Sequence, residues 1–221
     1  MPKRLVVFLI LALAAQPALS KKDAKGGVSG HVSITGADGN AKKARGGVVI
    51  AVLGVPGAKP KAMTAEMRQK DKQFDPQLVI VTKGSTVTFP NQDKIFHNVF
   101  SLSPTARFDL GLYKEGTAKS VEMKRAGEVD VFCNIHPEMV AKIKVLDTPF
   151  YAVSAPDGSY KIDGVPAGTY DVEAWHAHGD AWKGKVTIDD GGTATLDMTV
   201  VETSQSLKHT RKDGTPYGRY K

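Results

Sequence analysis

The chain's single cysteine, Cys133, stands in the segment VDVFCNIHPEMVAKIKVL, with His136 three residues on and Met139 three beyond that. Thiolate, imidazole and thioether are thereby confined to one tight loop. Upstream, TVTFPNQDKIFHNVF supplies His97, a second imidazole from a different part of the chain. Two histidines and a cysteine in a trigonal plane, with a methionine at longer range, form the ligand set of a blue-copper electron-transfer site. Thiolate and thioether suit Cu(I), imidazole suits both oxidation states, and a geometry between their preferences lets an electron move with little rearrangement. Zinc would also take two histidines and a cysteine, but its structural sites usually carry more thiolates or a carboxylate, and a methionine is wasted on it. His97, Cys133, His136 and Met139 are therefore the expected ligands of one type 1 copper.

These side chains need a rigid β framework. Val129, Val131 and Cys133 alternate and so share one face of a strand that leads into the loop. The segment LVIVTKGSTVTFPNQD reads as strand, turn and strand, and KIKVL as the strand that follows the loop. The opening MPKRLVVFLILALAAQPALS has a basic start at Lys3 and Arg4, an apolar run from Leu5 to Ala15, and small residues at Ala18 and Ser20. Residues 1–20 are thus expected to be a signal peptide, with export to the periplasm. The run is too short for a confident membrane span, and no other stretch approaches the roughly 18 apolar residues that spanning needs. A lone thiol in an oxidising compartment has no intrachain disulfide partner, which favours burial or a bond to a metal.

Residues 62–147 resemble the cupredoxins, and the short C-x2-H-x2-M loop, with Pro137 after the histidine, is most similar to that of the amicyanins. The resemblance rests on the strand pair around Lys83-Gly84, the His97-Asn98 pair, the AGEVDVFC approach to the cysteine and the closing KIKVL strand. It implies a Greek-key β-sandwich in which His97, Cys133 and His136 are equatorial ligands and Met139 the weak axial one. It also implies that the Asn98 side chain ties the His97 strand to the cysteine loop. Asn134, beside the sulfur, stands where relatives often carry a small hydroxyl residue. Residues 101–116, SLSPTARFDLGLYKEG, depart from the amicyanin pattern and are expected to form a long loop packed on the sandwich, or alternatively a docking surface.

Either side of this segment lie further short strands. Val28, Gly30, Val32 and Ile34 alternate with Ser29, His31 and Ser33, and VVIAVLG follows. Downstream, D-G-S-Y-x-I-x-x-V-P-A-G-T-Y-x-V, starting at Asp157, resembles the carboxypeptidase-regulatory-like, transthyretin-like β-sandwiches, whose first strands look like GVSGHVSI and VVIAVLG. The expected architecture is all-β: a cupredoxin sandwich, residues 62–147, inserted into a second small Ig-like/transthyretin-like sandwich made of residues 27–57 and 148–202. The two pieces together number 86 residues, as many as the insert, and neither piece would bury a core alone. A simple tandem of two domains is the competing arrangement. His176 and His178, beside Trp175 and Trp182, are two ligands at most, too few to define a second metal site.

Lysine and arginine number 30 against 23 aspartates and glutamates. Much of the excess lies in residues 203–221, expected to be a basic flexible tail, which weakens any nucleic-acid reading because that needs a basic folded face. Phe132 and Asn134 flank Cys133, whereas the multicopper oxidases, by resemblance, place histidines there, and no nucleophile elbow, phosphate loop or HExxH occurs. The chain is therefore not expected to be an enzyme. The leading expectation is a monomeric periplasmic carrier of single electrons that meets a redox protein such as a c-type cytochrome or dehydrogenase. Copper storage or delivery, and an envelope-binding module with a secondary copper site, stay open as alternatives.

Overall fold

A computed structural model describes residues 25–42, 46–203 and 209–217, all of them strands, turns and irregular chain. The expected signal peptide lies outside the described residues. Two strands precede residues 62–147, β1 (Gly26–Gly36) and β2 (Val49–Leu53). Within that segment follow β3 (Thr64–Glu66), β4 (Arg68–Lys70), β5 (Gln73–Asp75), β6 (Leu78–Thr82), β7 (Thr86–Pro90), β8 (His97–Ser101), β9 (Phe108–Tyr113), β10 (Ala118–Glu122), β11 (Gly127–Cys133) and β12 (Val140–Leu146). The last third carries β13 (Tyr151–Val153), β14 (Ser159–Val165), β15 (Gly168–Trp175), β16 (Gly179–Asp180), β17 (Trp182–Ile188), β18 (Thr193–Thr195) and β19 (Met198–Glu202).

Strands β3 to β12 pair only with one another. One sheet runs β6-β12-β11-β8-β9, a second β10-β7-β3, and β4-β5 is a hairpin. The two sheets close on a core that includes Val81, Val87, Phe89, Val99, Val129, Val131 and Ile143, all fully buried. On β11 the buried positions Val129, Val131 and Cys133 follow the two-residue period seen in the sequence. The stretch expected as a loop over residues 101–116 instead contains β9, paired antiparallel to β8 with a register shift between Asn98 and Phe100. Phe108 and Leu110 pack on the core, and after the bulge the inward role passes to Tyr113, leaving Leu112 outside. That change of parity hides the strand from a period-two reading.

The outer strands pair across residues 62–147. β1 is antiparallel to β14 and parallel to β18 and β19, while β2 lies between β13 and β15, with β17 beyond. Val28, Val32, Ile50, Val52, Ile162, Val172 and Val200 fill the space between these two sheets. At the Asp157-Gly158 turn, Gly158 takes φ +90 and a Cβ there would press on the Val32 carbonyl, so glycine is required. A third, smaller core joins the two sandwiches: Val49, Ala51 and Trp175 from the outer strands meet Leu78, Ile80 and Leu146 from β6 and β12. Lys144 crosses the same boundary, its ammonium 2.7 Å from Glu173 and 5.0 Å above the Trp175 ring.

Candidate metal centre

Cys133 ends β11, His97 opens β8, and the antiparallel pairing of Cys133 with Val99 brings the two strand ends together. Strand β11 turns into the loop 134–139, which bends back so that the Cys133 amide donates to the Met139 carbonyl at 3.2 Å and the Met139 amide to the His136 carbonyl at 3.1 Å. Cys133 Sγ lies 3.9 Å from His97 Nδ1 and 3.7 Å from His136 Nδ1. The three ligand atoms all fall within 4.8 Å of one another, the one such group among the described residues. An ion bonded at about 2.0–2.3 Å to nitrogen and sulfur needs separations of this size. Cys133, His97 and Met139 are fully buried, and His136 is half-buried. Met139 shares the core of Cys133.

The charges around the sulfur suit a metal ligand. Burial pushes the Cys133 thiol up, but His97 and the backbone amides of Asn98, Ile135 and His136 outweigh it and favour the thiolate. For His97, burial disfavours the charged ring, while Cys133 and Asp93 on its two sides raise its affinity for a proton overall. His136 is shifted down by burial and by the neighbouring His97.

Asp93 is the residue that sequence reading missed. His97 Nε2–H donates to Asp93 Oδ2 at 2.7 Å, which fixes the ring and leaves Nδ1 facing the sulfur. The same carboxylate accepts the amides of Asp71 at 2.7 Å and Lys72 at 2.9 Å. Those two residues turn the β4-β5 hairpin with φ of 54 and 56, the left-handed region that non-glycine residues seldom enter. One buried-edge carboxylate thus holds both a strained turn and a ligand ring. Its signal in the sequence is the four-residue spacing in DKIFH.

The Asn98 side chain, expected to tie the His97 strand to the cysteine loop, and the Asn134 side chain, beside the sulfur, make other bonds. The Asn98 side chain donates to Asp109 Oδ1 at 2.7 Å, and it is the Asn98 backbone amide that meets the sulfur. The Asn134 Oδ1 accepts the Lys212 amide at 2.9 Å. Residues 209–217, expected within the flexible tail, pack against the cysteine loop. Ile135, Pro137 and Val140 are half-buried, and the exposed apolar residues near His97 are Ile95, Phe96 and Leu112, at 39%, 57% and 62%. The His176 and His178 rings lie 5.7 Å apart on the outer sandwich with no third ligand grouped with them among the described residues.

The buried Cys133 sulfur lies between two imidazoles on a β-sandwich of this topology, and known proteins share parts of this arrangement. Residues 61–146 match the copper binding proteins of the plastocyanin/azurin family. The match covers 86 of the chain's 221 residues and takes in all four expected ligands. Among solved structures this segment is similar to a purple cupredoxin from Nitrosopumilus maritimus, with 20% identity, 37% of this chain and 99% of that chain covered, and a TM-score of 0.34. It is also similar to an amicyanin variant in the reduced Cu(I) form at pH 4, at 24% identity over 44% of this chain and 98% of that one, TM-score 0.36. A Cu-containing nitrite reductase from Thermus scotoductus shares 20% identity over 43% of this chain and only 25% of its own length, TM-score 0.37. No curated protein matches the chain. No helix among the described residues is long and apolar enough to cross a membrane.

Proposed function

We propose that this protein is a periplasmic blue-copper electron carrier, exported by residues 1–20, that holds one type 1 copper through His97, Cys133, His136 and Met139 and has no turnover of its own. The carrying observation is the buried Cys133 thiol set 3.7 and 3.9 Å from two imidazole nitrogens, one ring buried and the other half-exposed. A ligand set fixed by the fold in advance keeps rearrangement small when the oxidation state changes. The half-exposed His136 ring gives the electron a short way to the surface, where a monomeric carrier meets a c-type cytochrome or dehydrogenase. Weak redox encounters use small interfaces, and Ile95, Phe96 and Leu112 offer exposed apolar surface on the His97 side.

The copper unit, residues 62–147, is an insert within an outer transthyretin-like sandwich of residues 27–57 and 148–202. The pairing of β1 with β14 and of β2 with β15 supports this division, since both pairs bridge the whole copper segment. Copper-loaded, oxidised protein should show the intense visible thiolate-to-copper band with one copper per chain. Cys133→Ser should abolish the band while the far-ultraviolet circular dichroism stays that of a β protein. A colourless copper adduct of the unaltered chain would overturn the assignment.

A further inference from the structure

Residues 209–217 lie across the outside of the loop that carries three of the four expected ligands, and the hydrogen bonds that join them span 72 to 84 positions of sequence. Their shape is built in. The Arg211 amide donates to the Thr215 carbonyl and the Gly214 amide to the Arg211 carbonyl, both at 2.9 Å. Asp213 Oδ1 accepts the Thr215 amide at 2.9 Å and its hydroxyl at 2.7 Å, and Gly214 takes the left-handed φ of +84 that the turn needs. The Arg211 guanidinium stacks 5.7 Å over the Tyr217 ring and closes the turn on itself.

Both ends of this turn hold the ligand loop by its carbonyl oxygens. Tyr217 Oη–H donates to the Cys133 carbonyl at 2.7 Å, and His209 Nε2–H to the Pro137 carbonyl at 2.9 Å. The His209 ring stacks on Phe132, the residue before the cysteine, with centroids 4.1 Å apart. Phe100, Phe132, His209 and Tyr217 form one aromatic row, successive centroids 5.7, 4.1 and 5.1 Å apart. The middle of the turn reaches the other ligand strand: the Lys212 amide donates to Asn134 Oδ1, and its ammonium lies 2.6 Å from Asp109, which in turn accepts from Asn98 beside His97. That ion pair is exposed and contributes little by itself. The partly buried hydroxyl and ring contacts are the anchors.

We propose that residues 209–217 are a clasp in which Tyr217 and His209 act as positioning residues for the copper-ligand loop, holding Cys133 and the stretch around His136 still from outside. The inference rests on the blue-copper reading for its electron-transfer consequence, and on the hydrogen bonds alone for its structural one. An immobilised loop changes little between oxidation states and resists opening to release the metal, and partners of metal ligands are worth about 10–100-fold in affinity.

The test uses the full chain, with Tyr217→Phe removing only the hydroxyl, His209→Ala removing ring and donor, and His209→Gln restoring a donor. Amide exchange over residues 134–139 is followed in metal-free and copper-loaded protein, alongside copper loss to a chelator and the electron self-exchange rate. Tyr217→Phe with His209→Ala should strip protection from these amides, release copper about tenfold faster and slow self-exchange, while the thermal midpoint of the outer sandwich stays put. His209→Gln should recover part of each. Unaltered loop protection and self-exchange in the double variant would overturn the clasp. If the unaltered chain lacks the thiolate band, the proposed function fails, and loop exchange in metal-free protein still decides the clasp.

Discussion

The outer sandwich and the copper domain use the same kind of layer packing, yet they differ in what their interiors admit. Between the outer sheets the buried cluster is built of valine, isoleucine, alanine, methionine and tyrosine. Of the ten buried polar residues among those described, eight, from Gln69 to Lys144, belong to the copper domain and only Thr148 and Ser154 to the frame. Polar groups are costly to bury unless paired, and here they are recruited in chains: Asp93 on His97, Asp109 on Asn98, Asn91 Nδ2 on the Ile95 and Tyr113 carbonyls. A frame needs only shape. A domain with a candidate metal centre must also hold lone pairs in an apolar setting, and its buried polar groups are the means.

Where the two interiors touch, the contrast can be broken. Trp175, fully buried at the shared core, should on replacement by alanine destabilise the protein by about 3–5 kcal/mol and lower the midpoints of both sandwiches, read by copper absorbance and by circular dichroism. Ile162→Ala, buried wholly among the outer strands, should cost about 2–5 kcal/mol and move the outer transition first. A copper signal that survives unchanged in Trp175→Ala would show the two units to be independent.

Much of this contrast was legible in the sequence. His97, Cys133, His136 and Met139 stand out in the sequence because thiolate, imidazole and thioether spaced by threes after an alternating strand have few other uses, and the structure groups the first three. The outer strands announced themselves through Val28, Val32 and Ile34 and the Asp157-Gly158 turn. What stayed hidden depends on contacts between distant residues. Nothing local in Asp71-Lys72 requests a hairpin, since neither is glycine, and Asp93 supplies the missing stabilisation from twenty-odd residues away. β9 was lost because its inward face switches at a bulge. The clasp was lost because a run of lysines and arginines looks solvated, whereas His209 and Tyr217 within it carry the contacts.

The polar chain on the copper side can be sharpened one link at a time. Burial pushes the Asp93 carboxyl up, but the amides of Lys72 and Asp71 and the His97 ring outweigh it and hold the group below the ordinary carboxylate range. Asp93→Asn should therefore loosen both the hairpin turn and the ligand ring, lowering copper affinity by about 10–100-fold in a chelator competition. An unchanged affinity would mean that β8 alone orients His97.

A smaller effect follows from the protons on the ligands. Since His97 holds a proton more tightly than an ordinary imidazole, copper must displace it, and uptake should weaken as the pH falls through that raised value. Below it the loss for this one proton is about tenfold per pH unit. His136, shifted the other way, adds its proton only at lower pH. In metal-free protein the sign reverses. The stability from protonated His97 is complete below the ordinary histidine value of about 6.5 and disappears as the pH rises through the raised one. Chelator titrations and thermal melts across pH 5 to 8 check both, and flat profiles in each would place the proton elsewhere.

The pairing of Val32 with Met198 has a consequence for timing. A strand made at the start of the chain waits for a partner 166 positions later, whereas every strand of the copper domain finds its neighbours between Thr64 and Leu146. Domains fold as units and near contacts form before distant ones. As the chain emerges, the copper domain is complete while the frame around it is still two loose ends. Residues 209–217 arrive after β19, so the ligand loop stands uncovered until they are in place. A metal ion offered to the chain at that stage would therefore meet a formed loop whose outer face is open.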